Sequence, residues 1–185
     1  MLIRLSTPEG LAVPLEDVKE DLRVMADDDD GKLTRIIRQE TTRYEDFVGR
    51  IMLPTEMEWR TDSWREPVTI PAFPIRDVTG IVYFDSDHVE QALDPSEWYY
   101  VETDVGAEIR FTDTFSSPSL SSYAHPVRVR FEAGYDVPGT SGSDIEADPQ
   151  DQGVITAMVG WLYDRDEGIS DDLLRRMAGN RRIFR

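Results

Sequence analysis

Three stretches of this 185-residue chain carry residue types that could do chemistry. The first is Asp27-Asp-Asp-Asp30 followed by Gly31, which invites a calcium-loop reading. Such a loop needs an acid at its first position, a glycine at its sixth and a bidentate acid at its twelfth. With Ala26 as the first position, Asp28, Asp30 and Gly31 fall correctly, but the first position is alanine and the twelfth is Ile37. Both ends of the cage are missing, so the acids are expected to form a turn that caps a following helix. The second is Gly139-Thr-Ser-Gly-Ser143, which imitates a nucleophile elbow. Its second glycine comes one residue early, and no strand leads into it. The third is the C-terminal cluster Arg175, Arg176, Arg181, Arg182, Ile183, Phe184 and Arg185, which follows the last acid, Asp172. Apolar anchors flanked by arginines are the ingredients of protein interfaces.

Composition narrows the classes further. There is no cysteine, which removes disulfides and thiolate metal sites, and His88 and His125 are too few for a histidine cage. No catalytic, cofactor-binding or metal-ligating set is expected. The net charge is −17, and five of the 20 basic side chains lie after Asp172, so the remainder is more acidic still. Such a surface repels phosphate and argues against a general nucleic-acid binder. Nothing at Met1-Leu-Ile-Arg-Leu5 reads as a signal segment, and the run Val154–Tyr163 is too short and too interrupted to span a membrane. The expectation is a soluble protein of a reducing or neutral compartment.

The elements that must position these residues fall into an α+β pattern: N- and C-terminal helices forming a bundle, with an inserted antiparallel β-rich middle. The expected boundaries are 1–55 for the N-terminal helical part, 56–135 for the insertion, and 136–185 for the C-terminal helices and basic tail, as one folded unit. Pro14 opens a short helix with Leu15, Val18 and Leu22 inward and Glu16, Asp17, Lys19, Glu20 and Asp21 outward. Leu33, Ile36, Ile37, Tyr44, Phe47, Val48 and Ile51 then keep a 3.6-residue period over Lys32–Ile51, with Arg35, Arg38, Glu40, Arg43, Glu45 and Asp46 on the other face.

Glu56 to Trp64 alternates as a strand, with Met57 and Trp59 on one side. Short apolar runs follow between Pro67 and Tyr135, with turns at Asp85–Asp87, Asp94–Ser96 and Asp104–Gly106. Spacing this close predicts hairpins and not βαβ units. Trp98-Tyr-Tyr100 is expected to cover one face of a small sheet, and Thr112–Ser122 to be an exposed loop. Asp148-Pro149 starts a helix whose buried stripe reads as Val154, Ala157, Met158, Trp161 and Leu162. Ser170 caps a last helix that stops at Gly179-Asn180. Everything outside the middle reads as helix.

Four of these stretches, in this order, resemble the head–tail connector (adaptor) family of long-tailed phages and gene transfer agents. They are Pro14–Val24 with the acidic turn and long helix after it, Ile70–Phe84 with Leu93–Tyr99, Val127–Tyr135, and Ile155–Arg165. The resemblance implies a structural subunit without catalysis or cofactor. It implies a ring, commonly of twelve copies, between the portal protein and a tail-side connector or terminator, through which DNA passes without specific binding. It also implies assembly in a bacterial cytoplasm, a place at the head–tail junction of a phage-like particle, no membrane, and a C-terminal segment that grips the portal. That segment falls by position on Leu173–Arg185 and so on the arginine cluster. Composition alone leaves two other classes open: a small acidic interaction module with a basic docking tail, and a metal-dependent hydrolase.

Overall fold

The computed structural model describes residues 1–65, 68–140, 145–165 and 167–179. The chain divides into two compact units, one formed by residues 1–8 and 55–134, the other by residues 9–54 and the described residues from 135 onward. Terminal helices and a β-rich middle make this an α+β protein, as the alternating periodicities predict.

The first unit is built from two antiparallel sheets. One has the order β1-β2-β8-β4-β5, from β1 (Leu2–Arg4), β2 (Thr55–Thr61), β8 (Val127–Ala133), β4 (Ile75–Phe84) and β5 (Glu90–Ala92). The other has the order β3-β7-β6, from β3 (Val68–Ile70), β7 (Gly106–Phe111) and β6 (Trp98–Thr103). The period of two is plain in β8, where Val127, Val129, Phe131 and Ala133 are buried and the residues between them are not. Met57 pairs with Phe131 and Val78 with the same residue, so one face of the five-stranded sheet carries the core.

Two expectations need correction here. The N-terminus is not all helix: Leu2-Ile-Arg4 is an edge strand, with Leu2 opposite Trp59. Thr112–Ser122 is not simply an exposed loop. The Trp64 indole donates to the Pro118 carbonyl at 3.0 Å and packs edge-on against Tyr83, Phe111 and Phe115, while Ser121 is buried.

The second unit packs α1 (Leu15–Leu22), α2 (Asp30–Val48), α3 (Pro149–Arg165) and α4 (Asp171–Ala178). α2 ends where Gly49 turns left-handed at φ 76° and its N–H reaches the Glu45 carbonyl. Leu33, Ile36, Ile37, Tyr44 and Val48 form its buried stripe as the period predicts. Three polar residues expected outside are inside. Lys19 is drawn in by Asp27 and Asp30. Glu45 accepts the Met52 N–H at 2.6 Å, satisfying a donor in the chain after the helix. Glu40 lies beside Arg43 at 3.6 Å.

The α3 stripe is rotated from the expected one: Val154, Ile155, Met158 and Val159 are buried, whereas Ala157 is exposed and Trp161 and Leu162 are half-buried. Gly160 explains the turn, because a Cβ there would lie 3.1 Å from Leu22 Cδ2, so α1 crosses α3 at this point.

Candidate assembly surface

The arginine cluster begins on α4, and the capping of that helix sets where its cations stand. Ser170 Oγ accepts the Leu173 N–H at 3.4 Å, and Asp171 and Asp172 occupy the first turn, where acids suit the helix dipole. Leu174 and Ala178 are buried, which turns Arg175 and Arg176 outward together in the last turn. Arg176 pairs back to Asp172 at 2.6 Å, one helical turn away, and both side chains are mostly exposed. Arg175 makes no ion pair among the described residues.

The helix is fixed at both ends. Arg43 of α2 donates to the Ile169 carbonyl and to Asp171 at 3.3 Å, and Gln150 of α3 donates to the Met177 carbonyl at 3.1 Å. A rigid support thus presents two arginines. The other expected partner-binding residues, Arg181, Arg182, Ile183, Phe184 and Arg185, lie outside the described residues.

The acidic turn is used internally. Lys19 Nζ reaches Asp27 at 2.7 Å and Asp30 at 2.8 Å, and the Tyr163 hydroxyl donates to Asp29 at 2.7 Å. Hydrogen bonding to Asp27, then to Asp30, holds the Lys19 ammonium well above its ordinary pKa, and the same ammonium holds Asp27 below the usual carboxylate range. Among the described residues, no three His, Asp or Glu side chains gather as a metal site would require. His88 bonds Ser121 Oγ at 2.7 Å and stacks on Tyr123, whereas His125 sits beside Asp62 at 3.0 Å. Of the elbow-like run, Gly139 and Thr140 form a turn and the remaining residues are outside the described ones.

Two surface features were not foreseen. Glu58, only 2% exposed, sits on the face of the five-stranded sheet opposite its core. Arg60 lies 2.6 Å from it, Arg130 3.3 Å and Arg128 4.0 Å, and Arg130 continues to Glu90 at 3.2 Å. Arginines at alternate positions of Val127-Arg-Val-Arg-Phe131 were the available signal. The second is apolar. Tyr99, Val101 and Val105 are exposed on the β6–β7 hairpin, and among the described residues the exposed large apolar side chains other than Met25 all belong to the first unit. Strand alternation splits the Trp98-Tyr-Tyr100 cluster, turning Tyr99 out and leaving Trp98 and Tyr100 half-buried. On α1, Glu16, Asp17, Glu20 and Asp21 are all exposed, giving that helix a uniformly acidic outer face. No helix among the described residues is long and apolar enough to cross a membrane.

No protein-family model and no curated protein matches the sequence. Solved structures do match over the whole chain. A chain of the virion of a native gene transfer agent particle is 18% identical, with a TM-score of 0.76, covering 100% of this chain and 96% of that one. Chains of the neck of an empty gene transfer agent particle, computed with C6 symmetry, and of the neck of the native particle, computed with C12 symmetry, are each 17% identical. Each has a TM-score of 0.73 and the same coverage. These likenesses show that the chain shares its complete fold with them.

Proposed function

We propose that this chain is a structural subunit of the neck of a phage-like particle, an adaptor whose ring lies between portal and tail and leaves a passage for DNA. The observation that carries the proposal is the full-length fold likeness to chains of gene transfer agent virions and necks. A likeness to one unit alone would speak only for a common building block; here both units and their order along the chain are matched. Rings of six-fold or twelve-fold symmetry in those particles support a ring here, with twelve copies as the proposed number.

The charge pattern supports the same reading. With a net charge of −17 and an acidic α1 face, the subunit repels a passing duplex and does not hold it. The basic end of the chain then has a separate task. Arg175 and Arg176, with Arg181, Arg182, Ile183, Phe184 and Arg185, form the grip on the portal, the arginines pairing with its carboxylates and Phe184 filling an apolar pocket. A tail-side connector or terminator protein docks on the opposite rim of the ring. No step of this role needs a cofactor or a catalytic residue.

The test is to mix the purified chain with portal-bearing, tailless heads and image them by negative stain. A collar of density added at the portal vertex is the expected result. Heads that remain bare, at protein concentrations far above that of the portals, would overturn the proposal.

A further inference from the structure

The strand edges of the first unit are not alike, and the difference marks one of them for use. Among the described residues, four strands border on one neighbour only: β1 and β5 in the larger sheet, β3 and β6 in the smaller. Open edges carry unpaired N–H and C=O groups that recruit other chains, and proteins blunt them with proline, charge or brevity. β3 is three residues long, with proline at both flanking positions, 67 and 71. Its main chain bonds β7 through Val68 and Ile70, so the edge offers Thr69 alone between two residues without an N–H. β5 is also three residues long, fully exposed, and carries Glu90, which is tied to Arg130 at 3.2 Å. These two edges are closed by design.

β6 is the opposite case. It is six residues long, the longest of the four edge strands, and contains no proline. The Thr112 N–H bonds the Glu97 carbonyl at 2.9 Å, and Thr103 faces Gly106 across the hairpin. By strand alternation Tyr99, Val101 and Thr103 spend their main-chain groups on β7, and Trp98, Tyr100 and Glu102 turn theirs outward. The strand is also flanked by exposed apolar side chains, Tyr99 at 50% and Val101 at 43%, and by the acids Glu102 and Asp104. An added strand that suits this edge is apolar with a basic residue.

β1 has that chemistry. Its run Met1-Leu-Ile-Arg-Leu5 is apolar except for Arg4, and Met1 and Leu5 are 53% and 47% exposed. It bonds β2 through the Met1 carbonyl and the Leu5 N–H, which turns the main chain of Leu2 to the other side. We infer that β6 is an assembly edge, to which β1 of a second copy adds as a fourth strand. Arg4 of the incoming copy then faces Glu102, close to Asp104, and Leu5, on the other face of the added strand, covers Val101. The two edges differ, so the contact is heterologous, each copy using β6 toward one neighbour and β1 toward the other, which is the kind of contact that closes rings. The inference rests on the ring reading above and supplies the bond between its subunits.

The experiment follows the oligomeric state of the chain alone by sedimentation velocity, up to its solubility limit, with circular dichroism as a check on folding. Proline is tolerated at an edge position whose N–H faces outward. Glu102→Pro and Leu2→Pro are each expected to keep the fold and to leave only monomer where the parent chain associates. Thr69→Pro, on the guarded β3 edge, is expected to associate like the parent. If either β-edge variant unfolds, Val101→Lys replaces Glu102→Pro, and Arg4→Glu replaces Leu2→Pro. Arg4→Glu and Glu102→Lys should each weaken association and together restore it. A parent chain that stays monomeric, or association that survives the β6 substitutions, overturns the inference. So does loss on β6 with no effect on β1, which assigns the edge to another chain. None of these outcomes touches the head-binding test, so the adaptor reading stands or falls separately.

Discussion

The Tyr44 hydroxyl donates to Asp151 Oδ1 at 2.6 Å, with both residues completely buried. This bond ties the C-terminal part of α2 to the first turn of α3, and Arg50 extends it, lying 3.5 Å from the second carboxylate oxygen and donating to the Tyr135 hydroxyl at 2.8 Å. A buried carboxylate is stable only with such partners, and removing one partner of a buried ion pair costs about 3–5 kcal/mol. Asp151→Ala is therefore expected to cost that much in urea unfolding. Tyr44→Phe, which leaves the arginine in place, should cost about 1.5–3 kcal/mol, the usual range for a hydrogen bond to a charged group. Equal losses in the two variants would mean that Arg50 contributes nothing.

The rotated face of α3 gives a second expectation. Met158 is completely buried and Trp161 is not, with its ring instead covered by the Arg165 guanidinium at 4.0 Å. Met158→Ala should cost about 2–5 kcal/mol, as truncation of a large buried side chain does. Trp161→Ala should cost less than Met158→Ala in the same denaturant series, because a half-exposed ring leaves no closed cavity.

What the sequence disclosed follows from how sharply each element contrasts its faces. In α2, apolar and charged residues alternate with a clear period, which picked out Leu33, Ile36, Ile37, Tyr44 and Val48, although Phe47 is half-buried, Ile51 lies past the helix end, and Glu40 and Glu45 join the buried face. α3 holds Val154, Ile155, Ala157, Met158, Val159, Trp161 and Leu162 in nine positions, so apolar residues face nearly every direction. Only the crossing of α1 at Gly160 selects which ones are buried, and that contact is not local in sequence. The buried Glu40, Glu45 and Glu58 were illegible for a related reason. A carboxylate reads as exposed until its partners, a main-chain N–H for Glu45 or arginines from two strands for Glu58, are brought to it by the fold. That Arg175 and Arg176 stand exposed was legible from charge alone, whereas the place of β6 at a sheet edge required knowing the strand order.

Gly106 makes the third prediction. It has φ +149°, and a Cβ there would stand 2.0 Å from the Ile70 carbonyl oxygen and 3.0 Å from that of Ala72. Both neighbours are main chain and cannot swing away, so Gly106→Ala must displace β3 from β7. A loss of about 3 kcal/mol or more is expected, at the upper end for overpacking. Gly139, with φ +80° and no other described residue within 4 Å of the added atom beyond its chain neighbours, is the comparison. Gly139→Ala should cost only the local backbone strain, about 1–2 kcal/mol. Thermal unfolding of the two variants side by side separates packing from strain.

Glu40 gives a pH dependence. Burial pushes its carboxyl above the ordinary value, with Arg43 opposing that shift. A folded-state pKa above the unfolded one favours the fold at low pH, and this contribution disappears as pH rises through the raised folded value. The parent chain thus carries a penalty near neutral pH that Glu40→Gln removes. The variant should be the more stable one at pH 7, and its advantage should vanish below the ordinary range of glutamate, where the carboxyl is protonated in both states. Urea midpoints for the pair, measured across that interval, give the answer; an advantage independent of pH would trace it to packing and not to charge.

Arg175 offers the most direct trial of the basic end, because on α4 it can be altered without touching the core. It is exposed and makes no ion pair among the described residues, whereas its neighbour Arg176 is bound to Asp172 at 2.6 Å. Substitution of such a surface residue usually changes stability by no more than about 0.5 kcal/mol. Breaking the exposed Arg176–Asp172 pair costs a similar amount, about 0.3–0.5 kcal/mol for a pair one helical turn apart. Arg175→Glu and Arg176→Glu should therefore unfold at nearly the parent midpoint. If the basic end grips the portal, each reversal sets a carboxylate against the portal's carboxylates, and binding to portal-bearing heads should weaken in both, more at low salt than at high salt. Arg175→Glu should weaken binding the more, since Arg176 already shares its charge with Asp172. Binding curves on heads that coincide with the parent's at both salt concentrations would take α4 out of the portal contact and leave the docking surface elsewhere on the folded body.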